Sequence, residues 1–393
     1  MQYVHRNWKL LFCAAAGVAL GCLGAAQRSA QAQNSVAGWP DKEFKVENPQ
    51  KVDSKVRNAM TKKLANGTFE GAEDEQQFAD YYDQSIFPAV TNPENRQSPK
   101  TDMVARLRND LKQASSEKPD KTPKDQQVFN KLANLTLAYM MKIAKDDQYH
   151  PVARVNALLA IGEVNSPKAA KVLLDTAFGR GPGVFAFRVA AMTGLVRMAG
   201  PSGKKVLSEP DIESLVVKNM VPFVKFHAKK SDQSDGINWM RGQAADVFSE
   251  LGSTGPQNEV PPALLVMLND KDLPIPLRSK AARALGRLKY EGNPPAAGPY
   301  LTALAEFARD ALSSDQPANR RRVRLVALDV EEGLKPLASS TTHSNNDQAL
   351  IDGLIKTLQT LNSETEDKLN LEELGTSIAK AKASLDSLLK KKS

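Results

Sequence analysis

The chain has 393 residues, of which 41% are hydrophobic and 6% aromatic, and its formal net charge is +8. That apolar content excludes a wholly disordered chain, and the prominence of Ala, Leu and Val favours close helix packing over a β-sandwich. Three of the cations, Arg6, Lys9 and Arg28, lie in residues 1–32, which carry no acid; the rest is only mildly basic, which argues against a nucleic-acid partner.

The N-terminus reads as an export signal. Arg6 and Lys9 precede an uncharged run from Leu10 to Ala26, and Ala30-Gln31-Ala32 supplies the small-x-small pattern of a cleavage site. This order predicts a signal peptide over 1–32, cut between Ala32 and Gln33. The product would be periplasmic or secreted, without membrane attachment. Two alternatives stand beside it. Residues 10–26 are near the short limit for a retained membrane anchor. Cys22 is a candidate for lipidation, although the position three residues before it is Ala19 rather than Leu. The chain has two cysteines, Cys13 and Cys22, both inside this segment. The remainder therefore has no thiol for a disulfide, a thiolate metal site or a nucleophile.

Residues 33–50 are polar, contain Pro40 and Pro49, and read as a linker. Residues 51–116 read as an N-terminal region of three helices. The middle helix places Phe78, Tyr81, Tyr82 and Ile86 at helical spacing, as a core face. The third opens at Ser98-Pro99, an N-cap followed by proline at the first helical position, and turns Met103, Val104, Leu107 and Leu111 to one side. The charged, proline-containing stretch 115–123 marks the best internal boundary. Thr122-Pro123 then opens a long helix with Phe129, Leu132, Leu135, Leu137, Met140 and Ile143.

From 124 to 335 the chain repeats itself. Arg154 is followed at plus three, four, seven and ten by Ala157, Leu158, Ile161 and Val164. Arg188 is followed by Ala191, Met192, Leu195 and Met198, Arg241 by Ala244, Ala245, Phe248 and Leu251, and Arg278 by Ala281, Ala282, Leu285 and Leu288. A degenerate fifth copy is placed at Arg324, with Ala327, Leu328 and Leu334, although Glu331 breaks the plus-seven position. These offsets trace one stripe of a helix. The plus-three alanine, with Gly162 and Gly286 at plus eight, admits a close neighbour. A partner helix precedes each copy from Arg188 onward. The long interval before Arg241 implies an insertion, assigned to the polar residues 229–238.

The segments PVARVNALLAIGEV, FAFRVAAMTGLVRM and PIPLRSKAARALGRL resemble the second helix of HEAT repeats of the bacterial kind. The copy at Arg241 departs most, with Gly242 inside the helix and Trp239 ahead of it. The resemblance implies an all-α fold, a right-handed α-solenoid of antiparallel helix pairs as in HEAT and armadillo proteins. Residues 336–393 then read as C-terminal capping helices. One carries Leu350, Ile351, Leu354, Leu358 and Leu361; a second, behind a capping box of Ser363 and Glu366, carries Leu371, Leu374, Ile378, Ala381, Leu385 and Leu388.

Catalytic and metal signatures are missing from the sequence. Outside the signal segment the histidines are His150, His227 and His343, and none pairs at metal-ligand spacing. Gly200-Pro-Ser-Gly-Lys-Lys205 has Met198 where a phosphate loop needs glycine. The expectation is therefore a non-enzymatic scaffold of the cell envelope that binds a protein or peptide, with no catalytic residue, metal or cofactor. The alternative is a cell-envelope enzyme on a helical toroid, for example one acting on carbohydrate with paired carboxylates. The densest basic run, Arg320, Arg321 and Arg322, is the candidate partner-binding site, because cations at a helix start are mildly unfavourable without a counter-charge. In the competing reading Arg324 is a buried repeat anchor and its neighbours are solvated.

Overall fold

A computed structural model describes residues 43–92, 102–115, 126–179, 185–201, 203–226, 234–290, 297–313, 320–338, 345–364 and 371–392. The chain divides into two units, residues 1–45 and 46–393. Of the first, residues 43–45 are described. The proposed signal segment, Cys22 and the Ala32–Gln33 cleavage point lie outside the described residues. So do Ser98-Pro99, Thr122-Pro123 and Glu366 of the expected capping box.

The second unit is all-α, with no extended strand among its described residues. It opens with α1 (Ser54–Asn66) and α2 (Ala72–Tyr81). A π-helical turn (Tyr82–Ile86) leads on to α3 (Phe87–Val90), and α4 follows at Met103–Ser115. The side chain of Asp53 caps α1 by accepting from Lys55 N–H, and Gly67 closes it in the left-handed region at φ 82°. Asp102 accepts from Ala105 N–H ahead of α4. The π turn falls where proline demands it. Pro88 has no N–H to offer the Gln84 carbonyl four residues back, and that carbonyl accepts from Gln50 N–H at 2.8 Å.

Next come α5 (Gln127–Lys145), α6 (Pro151–Ile161), α7 (Pro167–Phe178), α8 (Phe185–Ala199) and the short α9 (Lys204–Leu207). They are followed by α10 (Pro210–Lys225), α11 (Ser234–Leu251), α12 (Val260–Asn269) and α13 (Ile275–Arg287). The last four are α14 (Ala297–Ser313), α15 (Arg320–Ala338), α16 (Asn345–Glu364) and α17 (Leu371–Lys392).

Contacts arrange these helices in two series. In one, α6 packs against α8, α8 against α11, α11 against α13, α13 against α15 and α15 against α16. In the other, α7 packs against α10, α10 against α12, α12 against α14 and α14 against α17. Each helix of the first series also touches one of the second, as α7 with α8 and α12 with α13. The final pair is reversed, since α16 extends the first series and α17 returns to the second. The buried face of α17, Ala381 and Leu385, is thus spent inside the molecule.

The sixteen stripe positions that follow Arg154, Arg188, Arg241 and Arg278 are all buried. The arginines act alike, each reaching back to a carbonyl at the end of the helix before it. Arg154 Nε donates to Ala144 O at 3.1 Å, and Arg188 Nη2 to Gly179 O at 2.7 Å. Arg241 Nε and Nη2 both donate to Val224 O, at 3.2 and 3.1 Å. Arg278 Nε donates to Leu268 O at 2.7 Å. A helix end leaves its last carbonyls without intrahelical donors and carries partial negative charge, so a cation there serves both needs.

Glycine sets the closest approaches. A Cβ on Gly162 would stand 2.4 Å from Gly194 Cα, which lets α6 and α8 touch backbone to backbone. One on Gly286 would stand 1.9 Å from Glu332 O, where α13 meets α15.

Two expectations change. The fifth stripe is set one residue earlier than the sequence suggested. Val323, Val326, Ala327, Val330 and Leu334 are buried, while Arg324 and Leu328 are exposed. One residue is 100° of helix, so taking Arg324 as anchor turned Leu328 inward wrongly. The extra length before Arg241 is also not all loop, because α9 occupies part of it and α11 already begins at Ser234. At the end of the expected linker, the N–H groups of Glu47 and Gln50 hydrogen-bond to Thr91 and Gln84. Among the described residues, one hydrophobic core runs from Met60 to Leu385.

Candidate functional site

Three polar surfaces stand out. The first is the start of α15, where the arginine run lies. Arg320 opens the helix, and its side chain lies outside the described set. Arg321 is exposed and Arg322 half-buried. Neighbours in sequence are 100° apart on a helix, so the run does not form a single block. The outward side instead brings Arg321 together with Arg324, one turn on, and with Leu325 (39% exposed) and Leu328 (42% exposed). The sequence reading missed these leucines because it placed Leu328 in the core.

The second surface is a charge ladder across α11, α13 and α15. Asp246 of α11 pairs with Lys280 and with Arg283 of α13. Arg283 also faces Asp329 of α15 at 3.8 Å, and Ser279 donates to Asp329 at 2.6 Å. Farther along, Arg287 lies 3.3 Å from Glu250 and 3.5 Å from Glu332. Burial pushes the Asp329 carboxyl up, and the facing Arg283 opposes it. Charges alternate across three helices, so each acid answers a base from the next helix. A second such bridge joins α4 and α8 through Glu163, which accepts from Arg108 at 2.6 Å and from Arg197 at 3.1 Å. These arrangements hold helices in register.

The third surface had no signal in the sequence. Residues 46–50 form a strap, and Glu47 binds it to the helices. The Glu47 carboxylate accepts from the hydroxyls of Tyr139 and Tyr149 and from Lys142 Nζ at 3.3 Å. Its backbone N–H donates to Thr91 Oγ1 at 2.8 Å. Burial works against the charge, but the two hydroxyls and Lys142 outweigh it and hold the carboxyl at about 2. The same surroundings push the Tyr139 hydroxyl up, through burial first and then the facing carboxylate. Glu47 is 92 residues from Tyr139 and 102 from Tyr149, and no local pattern links positions so far apart.

Nearby, Tyr82 donates to Asp110 at 2.9 Å, and burial raises the Asp110 carboxyl. Phe78, Tyr82, Phe87 and Tyr139 form a continuous run of ring contacts. The stripe of Phe78, Tyr81, Tyr82 and Ile86 is buried core, as expected. Gly203, in the glycine-lysine segment rejected as a phosphate loop, packs so closely that a Cβ would stand 2.3 Å from Met198 O.

Among the described residues, no group of three or more His, Cys, Asp or Glu side chains is placed to hold a metal ion. Nor is any described helix long and apolar enough to cross a membrane. Compared with known family models and with curated proteins, the chain matches none.

Proposed function

We propose that this protein is an exported, non-enzymatic scaffold of the HEAT/armadillo kind, whose helix pairs stack as a right-handed α-solenoid and bind another protein of the cell envelope. One observation carries the reading. An arginine at the same place in four successive units donates to the end of the preceding helix. A unit that closes its own helix end and packs on its neighbours is what a repeat array requires. The two series of helix contacts agree with such stacking. Repeat arrays of this kind offer extended surfaces to protein ligands. Export rests on the order of charge, apolar run and small residues in 1–32.

The start of α15 is the proposed contact for an acidic partner, through Arg320, Arg321 and Arg322, joined by Arg324. Exposed charges are screened within about 8 Å at physiological salt, so binding through them is salt-sensitive. The test changes Arg320, Arg321 and Arg322 together to glutamine. Capture from envelope extract is then compared at low and moderate salt. The reading expects loss of a salt-sensitive partner. With the fold intact, an unchanged set of captured proteins at both salts would reduce the run to a solvated face.

A further inference from the structure

The strap 46–50 is held in an unusual way for a segment leading into a helical core. Val46 is 44% exposed, and Asn48, Pro49 and Gln50 are exposed. Glu47 is the exception, with a side chain 19% exposed. The strap's grip on the helices includes that carboxylate, the N–H groups of Glu47 and Gln50, and the Glu47 carbonyl, which Thr91 Oγ1 meets at 3.5 Å. The acceptors and donors that meet it belong to the helical body. Tyr139 and Lys142 stand on α5, Tyr149 on the connection before α6, Thr91 beyond α3, and the Gln84 carbonyl in the π turn. Tyr149 and Thr91 are fully buried, so this side of the contact is fixed by packing.

Such a body presents two hydroxyl donors and a cation for a carboxylate. Alongside are a hydroxyl oxygen and a carbonyl for two backbone N–H groups of an extended chain. That set recognises a short acidic peptide by its main chain and one acidic side chain. Pro49 restrains Asn48 to extended backbone, which suits the strap to fill it.

We propose that this position is a receptor for the carboxylate of an extended acidic peptide, with the strap 46–50 as its internal, displaceable occupant. A segment with so little buried side chain opens at far lower cost than the whole fold. When it lifts, Tyr139, Tyr149 and Lys142 face the vacated position, and the Gln84 carbonyl loses the Gln50 donor. A competing peptide restores both. The tether gives the strap a high effective concentration, so the unaltered chain keeps the receptor mostly closed. The inference is independent of the repeat reading and of the arginine run.

The test uses the full chain and a fluorescent peptide with the sequence of residues 46–52, read by anisotropy. A receptor occupied by its own strap binds external peptide more weakly by the fraction left open. Glu47→Gln, which weakens the occupant, is expected to bind the peptide at least about tenfold more tightly than the unaltered chain. Gln50→Pro, which removes one donor and leaves the carboxylate, is expected to tighten binding in the same direction. A peptide with glutamine in place of its glutamate is expected to bind the Glu47→Gln chain about tenfold less well. Adding Tyr149→Phe to that chain should weaken the glutamate peptide alone. If both strap variants keep their helix content and bind no more tightly than the unaltered chain, or do not bind, the strap is a fixed brace and the proposal is overturned.

Discussion

Arg278 Nε donates to the Leu268 carbonyl at 2.7 Å, closing the end of α12 from the helix that follows it. The same guanidinium lies 4.8 Å from the Phe307 ring and 3.6 Å from Asp310. One side chain thus joins its own helix pair to the next. Arg154 repeats the arrangement with Ala144 O and the Phe187 ring, and Arg241 with Val224 O and Asp270. Arginine suits the place because its planar fork serves a carbonyl and an acid together.

Arg241 gives the sharpest test of that role. It is 1% exposed and bonds Asp270 at 3.0 Å. Arg241→Ala takes from buried Asp270 the guanidinium it bonds, and is expected to cost roughly 3–5 kcal/mol. Adding Asp270→Ala should return part of that loss. Urea unfolding of the single and double variants reads both effects.

The phase of the stripes has its own test. Ala281 is fully buried, and Ala281→Leu is expected to overpack the helix contact at a cost of about 1–3 kcal/mol. Leu328, by contrast, faces outward, so Leu328→Ala should stay within about 0.5 kcal/mol. A large loss at Leu328 with none at Ala281 would reverse the assignment of inner and outer faces.

Glu47 should leave a pH signature. Its folded carboxyl lies at about 2 against an ordinary 4.5. A depressed carboxyl contributes stability that is fully present above 4.5 and is lost as the pH falls through about 2. Glu47→Gln lacks this contribution. The stability gap between the two proteins is expected to be widest above pH 4.5, to narrow below it and to close near pH 2. Melting curves across that range check it, and a gap independent of pH would show that the carboxylate is not ionised against its partners.

Export is checked by the mature terminus. Protein recovered from the envelope fraction is expected to begin at Gln33. Mass spectrometry that finds Met1, or a lipid on Cys22, would contradict cleavage after Ala32.

The all-α class and the four arginine stripes were legible because each stripe lies along one helix, with only Val164 and Leu288 falling just past the ends of α6 and α13, so that spacing reports burial directly. The fifth was not. RRRVR offers an arginine on either side of Val323, and the pattern fastened on Arg324 although Val323 is the buried position. The role of the anchors was only half visible, since spacing showed that the arginines recur but not that they cap the preceding helix. The Glu47 cluster joins residues about a hundred positions apart, and such contacts leave no local trace. Nor does anything in the sequence near Pro88 point to Gln50, whose N–H answers the Gln84 carbonyl.

The most direct test of the scaffold reading places a photo-crosslinking residue at position 321, on the outward side of α15, and another at exposed Lys168 of α7. The reading predicts a distinct protein adduct from position 321 that fades as salt rises and is missing from position 168. Identical adducts from both positions, or none from position 321 at low salt, would contradict it.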